Sequence, residues 1–305
     1  MSSLAAADQA FRDRGGVIDL SSRVKLALTG ADRVRYLQGQ VTSNVEKLRP
    51  GTTQPACLTT AKGRLCAEVM ITASGDALLV DAEGALRETL PARLERYIIA
   101  DDVAVTELEP EKRLLHFLGE KPDWLGDAPL NAATRFGRAG WDWWPDTATF
   151  EKLWPEITQR VELISDELAE VLRIEAGVPR WGRELDENTL PPEAGLDRTH
   201  IDYHKGCYIG QEVISRLKSV GHVNRRLVGF LSPTGVPLAP GWQVFAADDE
   251  ARVLGVLTSA AHSFALEKPI ALGYLKRGSP TGALLARPAS ETGVVVTVCE
   301  LPFHS

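Results

Sequence analysis

The stretch 173–195, RIEAGVPRWGRELDENTLPPEAG, decides how this chain of 305 residues is interpreted. It is rich in glycine, proline and charged residues and has little apolar periodicity. Its backbone must turn often and its charges need water or partners, so it cannot serve mainly as core. A carboxylate beside an aromatic ring can bind a flat heterocycle through two parallel charge-assisted hydrogen bonds while the aromatic ring covers its face. Composition supports a surface loop with solvated charges equally well.

A second polar segment, 205–212 with the sequence KGCYIGQE, leads into a helix predicted for QEVISRLKS. Gly206 and Gly210 predict a tight, permissive backbone around the cysteine. Cys207 is expected just before a helix N-terminus and next to Lys205, and both features stabilise a thiolate. It is therefore a candidate reactive or metal-binding thiol. The usual alternative for a lone cysteine is a small buried apolar residue, which is our expectation for Cys57, Cys66 and Cys299.

One possible metal site has the spacing H-x3-H-x2-C, formed by His200, His204 and Cys207. Two histidines four residues apart share a helix face and could chelate a metal ion. The segment is not clearly helical, however, and no fourth ligand is evident. We therefore predict no dedicated metal site, while transient contact of these residues with iron or a cluster stays open.

Charge and composition exclude several classes of protein. Acidic residues outnumber basic ones, 41 to 34, and the formal net charge of −7 argues against a protein that coats nucleic acid or an anionic membrane. A local basic cluster for an anionic ligand remains compatible with this charge. The four cysteines include no C-x-x-C pair, and no apolar run reaches the roughly 18 residues of a membrane span. The N-terminus has no apolar signal region, which favours the cytoplasm.

Periodicity predicts an α+β architecture. Strands and an amphipathic helix over 50–115 predict a small α+β sandwich, and Ser165 caps a helix predicted for 165–176. The tryptophans of the segment 119–160 are expected to fill a core beneath a loop, and the alternative is an aromatic wall of a ligand pocket. They are Trp141, Trp143, Trp144 and Trp154. From residue 225 onward, short strand-like runs alternate with glycine and proline, which is typical of an antiparallel barrel or sandwich.

These motifs resemble one family. The stretch 173–195 resembles the folate-binding core shared by the glycine-cleavage T-protein and its relatives. KGCYIGQE resembles the signature of the YgfZ branch of that superfamily, folate-binding proteins that assist iron–sulfur enzyme maturation. The stretch 28–51, LTGADRVRYLQGQVTSNVEKLRPG, is similar to the family's opening motif, with Asn44 where aspartate is common.

The resemblance implies an α+β, three-domain cloverleaf that ends in an antiparallel β-barrel and holds folate in a central channel. A central folate-binding domain would comprise 1–49 and 116–222, a ferredoxin-like α+β domain 50–115, and the barrel 223–305. The implied cofactor is tetrahydrofolate or one of its one-carbon derivatives.

The resemblance also implies site residues. Glu193 falls at the position that binds the pterin in the T-protein, and Trp181 replaces the aromatic residue, usually tyrosine, of the same segment. We add Glu175 and Arg180 to the expected folate site. Cys207 and Lys205 are the expected reactive pair.

One departure from the family concerns the pair of aspartates that T-proteins carry shortly after a glycine, the first of which is essential for aminomethyl transfer. Aligned on Gly63, this chain reads GRLCAEVMI and has Ala67 and Glu68 there. Alanine cannot hold or polarise the reacting amine or folate nitrogen. Glu68 occupies the neighbouring strand position, which is expected to face the other way.

The resemblance therefore implies a cytoplasmic, monomeric, tetrahydrofolate-binding protein that assists the assembly or repair of iron–sulfur clusters in client enzymes, with tRNA modification among the processes served. Its expected partners are folate and iron–sulfur client or assembly proteins, without nucleic acid or membrane. A folate-dependent aminomethyl or one-carbon transferase is the first alternative, and Ala67 argues against it. A non-catalytic scaffold with a vestigial folate pocket is the second, and Glu193 and KGCYIGQE argue against it.

Overall fold

The structure, a computed structural model, describes residues 3–247, 249–280, 282–288 and 293–303. The outer ends of the first and last predicted domains, residues 1–2 and 304–305, lie outside the described residues. The described helices are α1 (Ser3–Arg14), α2 (Arg33–Gln40), α3 (Thr89–Glu95), α4 (Thr147–Arg160), α5 (Asp166–Glu175) and α6 (Gln211–Ser219). The longest of them, α4, has 14 residues, and none in the described part of the chain is long and apolar enough to cross a membrane.

The described strands run from the N-terminus to the end of the chain. They are β1 (Gly16–Asp19), β2 (Val24–Thr29), β3 (Thr53–Thr59), β4 (Leu65–Ser74), β5 (Ala77–Ala82), β6 (Ala104–Glu107), β7 (Leu115–Leu118), β8 (Leu130–Arg135), β9 (Arg138–Trp143), β10 (Glu162–Leu163), β11 (Arg225–Leu231), β12 (Gln243–Ala246), β13 (Asp249–Ser263), β14 (Lys268–Lys276), β15 (Ala283–Arg287) and β16 (Val294–Cys299).

The first sheet has the order β10-β1-β7-β9-β8. Helix α5 packs near it, and the Ser165 hydroxyl accepts a hydrogen bond from the Leu168 amide at the start of that helix, which confirms the predicted cap. Trp143 is buried in the core beneath the sheet, with Trp141 and Trp154 packed against it. The prediction that these tryptophans fill a core is confirmed.

The second sheet has the order β3-β4-β5-β2-β6, and α2 and α3 contribute side chains to its core. Strand β2 pairs with β5 and β6 in this sheet, although it precedes the boundary predicted at residue 50. Strand β2 belongs to the interior of this sheet, because it is buried along almost its whole length and is hydrogen-bonded to a strand on each side. The division into domains stays a prediction, and the hydrogen bonds of this sheet cross its first boundary.

The C-terminal strands close into an antiparallel barrel with the order β11-β14-β13-β12-β15-β16. Apolar side chains from these strands fill the interior. The predicted fold class, an α+β protein that ends in an antiparallel barrel, is confirmed. Strand β13, with 15 residues, is the longest of the described strands, whereas the sequence predicted only short runs in this region.

Candidate functional site

A small apolar cluster, here called the junction cluster, joins the second sheet to the barrel. Strands β3 and β4, the segment 181–196 and the barrel strands β11 and β14 all contribute to it. Its members are Cys57, Leu65, Leu185, Ala194, Leu196 and Tyr274, with Trp181 and Leu227 packed against them. The segment 181–196 is tied to both sides, because the Leu65 amide donates to the Thr189 carbonyl and the Tyr274 hydroxyl donates to the Glu184 carbonyl.

Glu193 lies beside this cluster on a short 3₁₀ helix, Pro191–Ala194. The prolines at the start of that helix fix its backbone without losing a needed amide. The Glu193 side chain is mostly buried, and its Oε2 atom accepts a hydrogen bond from Nε of Arg225 at 2.9 Å. The Arg225 guanidinium in turn covers the Tyr274 ring at 4.2 Å from its centroid. Arg225 therefore fixes the orientation of the Glu193 carboxylate, a partner that the sequence did not reveal.

Trp181 packs against both the junction cluster and the core of the second sheet, and its ring remains partly exposed. The structure thus brings Trp181 and Glu193 to one apolar junction, where a ring platform and a carboxylate can serve the same site. These two side chains suit the pterin ring of a reduced folate. The Trp181 indole can stack on a face of the heterocycle, and the mostly buried Glu193 carboxylate can accept hydrogen bonds from its adjacent N–H groups.

Glu175 and Arg180 make their contacts elsewhere. Glu175 is buried on α5, where its Oε1 atom accepts a hydrogen bond from the Ser263 hydroxyl at 2.6 Å and its Oε2 atom has no partner among the described residues. Arg180 is exposed, and its guanidinium lies 3.3 Å from Glu83 and 3.5 Å from Glu170. Expecting them in the folate site relied on nearness in sequence, whereas α5 turns Glu175 toward β13 and the following loop turns Arg180 outward.

Glu184, to which the sequence assigned no role, holds the loop that carries Trp181. Its Oε1 atom accepts hydrogen bonds from the hydroxyls of Thr258 and Ser259, at 2.7 and 2.6 Å. Its Oε2 atom accepts from the Arg173 guanidinium and from the backbone amide of Arg180. This buried ion pair with its hydrogen bonds anchors the segment to β13, so Glu184 positions the Trp181 platform.

Strand β4 contains a bulge that changes which of its side chains face the junction. Leu58 of β3 pairs with Ala67, but the next residue of β3 pairs with Leu65, so Cys66 is the extra residue. Ala67 is buried in the core of the second sheet. Glu68 lies opposite Cys57, a member of the junction cluster, and directly opposed residues share a face of the sheet. Glu68 therefore faces the opposite side of the sheet from Ala67, as the sequence predicts, and that side is the one that faces the junction cluster.

Glu68 contacts a histidine from the segment that follows Glu193. Its Oε1 atom lies 3.3 Å from Nε2 of His200, whose Nδ1 atom is 2.8 Å from the Thr199 hydroxyl. When the Thr199 hydroxyl donates to Nδ1, the imidazole carries its proton on Nε2 and donates it to Glu68. This pair can hold a proton, or pass one, beside the junction cluster.

The surroundings of Glu68 keep it ionised at neutral pH. Burial raises the pKa of its carboxyl, but the hydrogen bond from His200 and the charges of Arg23 and Arg135 outweigh that effect and hold the pKa below its ordinary value. Glu68 is therefore an acidic side chain on the junction face of β4, one position after Ala67.

Lys205 is buried, and its contacts differ from the predicted partnership with Cys207. Its ammonium donates to the backbone carbonyls of Gln38, Val41 and Ser43, at 2.6, 2.6 and 2.8 Å. Burial lowers the pKa of Lys205 to about 8, so at neutral pH the group is still an ammonium with all three donors in use. Lys205 thus caps the C-terminus of α2, where the last carbonyl groups of a helix have no hydrogen-bond donor within the helix.

Cys207 is exposed, whereas its neighbours Lys205 and Tyr208 are buried. Helix α6 begins at Gln211 with Gly210 as its N-cap, so the cysteine precedes the N-cap by three residues. The helix dipole acts mainly within the first turn, and the Lys205 ammonium is directed at α2. The structure thus places the thiol at the surface. The N-terminus of α6 and the Lys205 ammonium, which the sequence suggested as stabilisers of a thiolate, are not directed at it.

The two glycines of this segment have different roles. Gly210 has a φ of +89°, and a Cβ atom there would lie 2.5 Å from the Thr60 carbonyl oxygen. A side chain is therefore excluded where the segment crosses the turn between β3 and β4. Gly206 has no positive φ, and a Cβ atom there would have no neighbour within 4 Å, so packing does not explain this glycine.

The histidines that were considered as metal ligands do not converge with Cys207. His200 is turned to Glu68, while His204 is exposed and its backbone amide donates to Asp202. In the described ranges no group of three histidine, cysteine, aspartate or glutamate side chains could hold a metal ion.

Comparisons with known proteins agree with this architecture. Residues 225–304 match the family model of the glycine cleavage T-protein C-terminal barrel domain. The crystal structure of glycine cleavage system aminomethyltransferase T from Bartonella henselae superimposes with a TM-score of 0.87 at 19% identity, covering 98% of this chain and 89% of that one. The chain therefore has the T-protein fold.

Two relatives have different printed functions. An aminomethyltransferase from Nostoc sp. is 27% identical over 301 residues, covering 88% of this chain and 78% of the relative. A mitochondrial iron–sulfur cluster assembly factor IBA57 homolog from Chaetomium globosum is 28% identical over 275 residues, covering 76% of this chain and 61% of the relative. The chain is thus similar to the aminomethyltransferase superfamily, in which one such relative is an assembly factor.

Proposed function

We propose that this protein is a YgfZ-type member of the T-protein superfamily that binds a reduced folate and supports the assembly or repair of iron–sulfur clusters. Its partners would be tetrahydrofolate, or a one-carbon derivative, and iron–sulfur client or assembly proteins in the cytoplasm, with tRNA modification among the processes served. The T-protein fold and the similarity to the IBA57 homolog support this proposal.

In the proposed folate site, Trp181 covers one face of the pterin and Glu193 accepts hydrogen bonds from its adjacent N–H groups. Arg225 holds the Glu193 carboxylate in place at 2.9 Å, and Glu184 anchors the loop that carries Trp181. The apolar junction cluster excludes water around the ring, which strengthens these charge-assisted hydrogen bonds. When bound, tetrahydrofolate supplies the nitrogen atoms that carry one-carbon units.

The observation that carries the iron–sulfur part of the proposal is the presentation of Cys207. Its side chain is exposed between two buried anchors, the Lys205 ammonium and the Tyr208 ring. The Ile209 carbonyl further ties this segment to the Thr59 hydroxyl on β3. A thiol held at the surface by a rigid backbone can reach a cluster or a sulfur atom of a partner protein, for which thiolate is a suitable soft ligand or nucleophile.

Titration calorimetry with tetrahydrofolate tests the ligand. Glu193→Gln replaces the carboxylate by a neutral amide of the same shape and should weaken binding by about 1.5–3 kcal/mol, the range for hydrogen bonds to charged groups. Glu187→Gln is the matched control, because Glu187 is exposed in the same segment. Equal affinities of Glu193→Gln and the wild type would remove Glu193 from the site, and no binding by the wild type would favour a scaffold with a vestigial pocket.

A second candidate function is folate-dependent aminomethyl or one-carbon transfer. The Glu68–His200 pair favours this function. Ala67 stands where the family has an aspartate, but Glu68 supplies an ionised carboxylate on the face of β4 next to the junction cluster. We expect no formation of methylenetetrahydrofolate from an aminomethyl-lipoyl donor, because His200 already engages the Glu68 carboxylate. Sustained turnover in that assay, abolished by Glu68→Gln, would establish the second function in place of the first.

A further inference from the structure

Two surface features lie at opposite ends of helix α6. Cys207 precedes its N-terminus, and a cavity of about 530 Å³ lies at its C-terminus, where it meets strands β11 and β14. We call this cavity the basic cleft, because Asp197 is the acidic residue of its wall and the other charged or titratable side chains are basic. These are Lys218, His222, Arg225, Arg226, Lys276 and Arg277.

The positive charge at this end of α6 is only partly compensated. Two of the arginines in the wall have carboxylate partners, one of which, Glu300, is itself exposed. The Arg277 guanidinium has no hydrogen bond or ion pair with any described residue, and neither has that of Arg216, which is exposed on α6. The Lys218 ammonium lies over an aromatic ring, which does not neutralise its charge. Since the whole chain carries a net charge of −7, this local excess of positive charge favours an acidic partner.

The exposed side of α6 connects Cys207 with the basic cleft. Glu212, Arg216 and Val220 follow one another at intervals of four residues, so they lie along one side of the helix, and all three are exposed. Val220 is 82% exposed although it is apolar, and it stands at the end next to the cleft. Ile214 holds the opposite side of the helix in the interior. We call the continuous surface from Cys207 along this side to the basic cleft the α6 surface.

The size of the α6 surface suits a protein partner. Helix α6 has 9 residues and is therefore about 13 Å long. A standard protein interface covers about 800 Å² on each partner, which as a round patch is roughly 30 Å across. One protein can therefore cover Cys207 and the basic cleft together, whereas a small ligand in the cleft cannot reach the thiol. An exposed apolar residue such as Val220 within a charged rim is also typical of protein interfaces.

We infer that the α6 surface docks an acidic protein that carries an iron–sulfur cluster bound by thiolates. This inference rests on the proposed function and gives the partner a place on the molecule. A cluster held by four cysteine thiolates bears a net negative charge, because the thiolates outnumber the positive charges of its oxidised core. The basic cleft steers the acidic face of that protein and fixes its orientation, while Val220 packs against it and Cys207 lies beside the cluster.

The first test is the activity of an iron–sulfur dehydratase in a strain that lacks this protein and receives a variant of it. Arg216→Glu and Arg277→Glu reverse charges that support no contact within the described residues, and each should lose most of the restoration that the wild type gives. Both should bind tetrahydrofolate like the wild type, and Cys207 should be alkylated as readily, since neither the folate site nor the thiol is changed. Lys268→Glu is the matched control, because it changes an exposed lysine at the opposite end of β14, and it should restore the activity fully.

The second test identifies the partner by cross-linking in the same cells. Val220 is replaced by p-benzoylphenylalanine, whose side chain forms a covalent bond with a contacting molecule on illumination. Mass spectrometry should find an acidic protein that binds an iron–sulfur cluster joined to this position. Adding Arg277→Glu to the same chain should remove most of the product, whereas adding Lys268→Glu should leave its yield unchanged.

The other outcomes contradict the inference in distinguishable ways. If Arg216→Glu and Arg277→Glu restore the dehydratase fully, the α6 surface does not dock the partner, whereas the proposed function stands. If the deletion leaves the dehydratase unaffected, the proposed function fails together with the inference. A loss of tetrahydrofolate affinity in Arg277→Glu would assign its charge to the folate site. A cross-link to RNA or to a protein without a cluster, or a yield that Arg277→Glu does not change, would also overturn the inference.

Discussion

Nε2 of His200 lies 3.3 Å from Oε1 of Glu68, although the two residues are separated by 132 positions in the chain. The contact joins strand β4 to the segment that follows Glu193 and sets an imidazole against a carboxylate beside the junction cluster. The Thr42 hydroxyl donates to the His200 carbonyl and accepts from the Cys57 amide, so the backbone around the pair is fixed from both sides.

This contact predicts a specific pH dependence of stability. The pKa of Glu68 is lower in the folded protein than its ordinary value of 4.5. Ionised Glu68 therefore stabilises the folded protein above pH 4.5, and this stabilisation is lost as the pH falls through the pKa of Glu68 in the folded protein. Glu68→Gln should therefore destabilise the protein most near neutral pH and least in acid. Urea unfolding across this range, with the exposed Glu95→Gln as control, measures the difference. A constant difference at every pH would contradict the assignment.

Lys205 is predicted to act as a structural cation. Lys205→Met keeps the length of the side chain but leaves the carbonyls of Gln38, Val41 and Ser43 without their donor. Since a buried polar group without a partner costs about 1–3 kcal/mol, we expect a loss of at least that size in the free energy of unfolding. Chemical denaturation measures it. If Lys205→Met instead unfolded like the wild type and its Cys207 was alkylated more slowly, Lys205 would act on the thiol of Cys207, as the sequence suggested.

The four cysteines are predicted to differ in their reaction with an alkylating reagent. Cys207 is exposed, whereas Cys57 is fully buried and burial raises its pKa well above the ordinary value. Burial also raises the pKa of Cys299. Mass spectrometry at neutral pH should therefore find Cys207 modified first and Cys57 last. If Cys207 reacted more slowly than Cys57, its side chain would not be presented at the surface.

The glycines of KGCYIGQE are predicted to respond differently to alanine. Gly210→Ala meets both a positive φ and the Thr60 carbonyl oxygen, so it should destabilise the protein by at least about 1–2 kcal/mol, the cost of the left-handed conformation alone. Gly206→Ala has free space and should unfold like the wild type. Thermal unfolding of both variants checks this, and equal midpoints would show that the segment can adjust its backbone.

Features encoded in a local pattern could be predicted from the sequence. The cap at Ser165, the start of α6 at Gln211 and most barrel strands followed from capping residues, periodicity and turn residues. Trp181 and Glu193 were singled out by the resemblance of the segment 173–195 to a folate-binding core, and their role in a folate site stays a prediction.

Features that depend on packing between distant segments could not be predicted. The bulge at Cys66 becomes visible only when β3 and β4 are paired, and it places Leu65 at the junction cluster while Ala67 lies in the core of the second sheet. The partners of Lys205, more than 160 positions away in the chain, likewise carry no local signal. Glu175 and Arg180 make their contacts away from the junction cluster, with Ser263 and with Glu83 and Glu170, and their place in the folate site stays a prediction.

The central claim is tested most directly by iron–sulfur enzyme activity in a strain that lacks this protein, with glycine cleavage measured in the same cells. We predict that deletion lowers the activity of an iron–sulfur dehydratase and leaves glycine cleavage normal. The wild-type gene should restore the activity, whereas Cys207→Ser, folded and still binding tetrahydrofolate, should not. Normal dehydratase activity in the deletion strain, or full restoration by Cys207→Ser, would contradict the account.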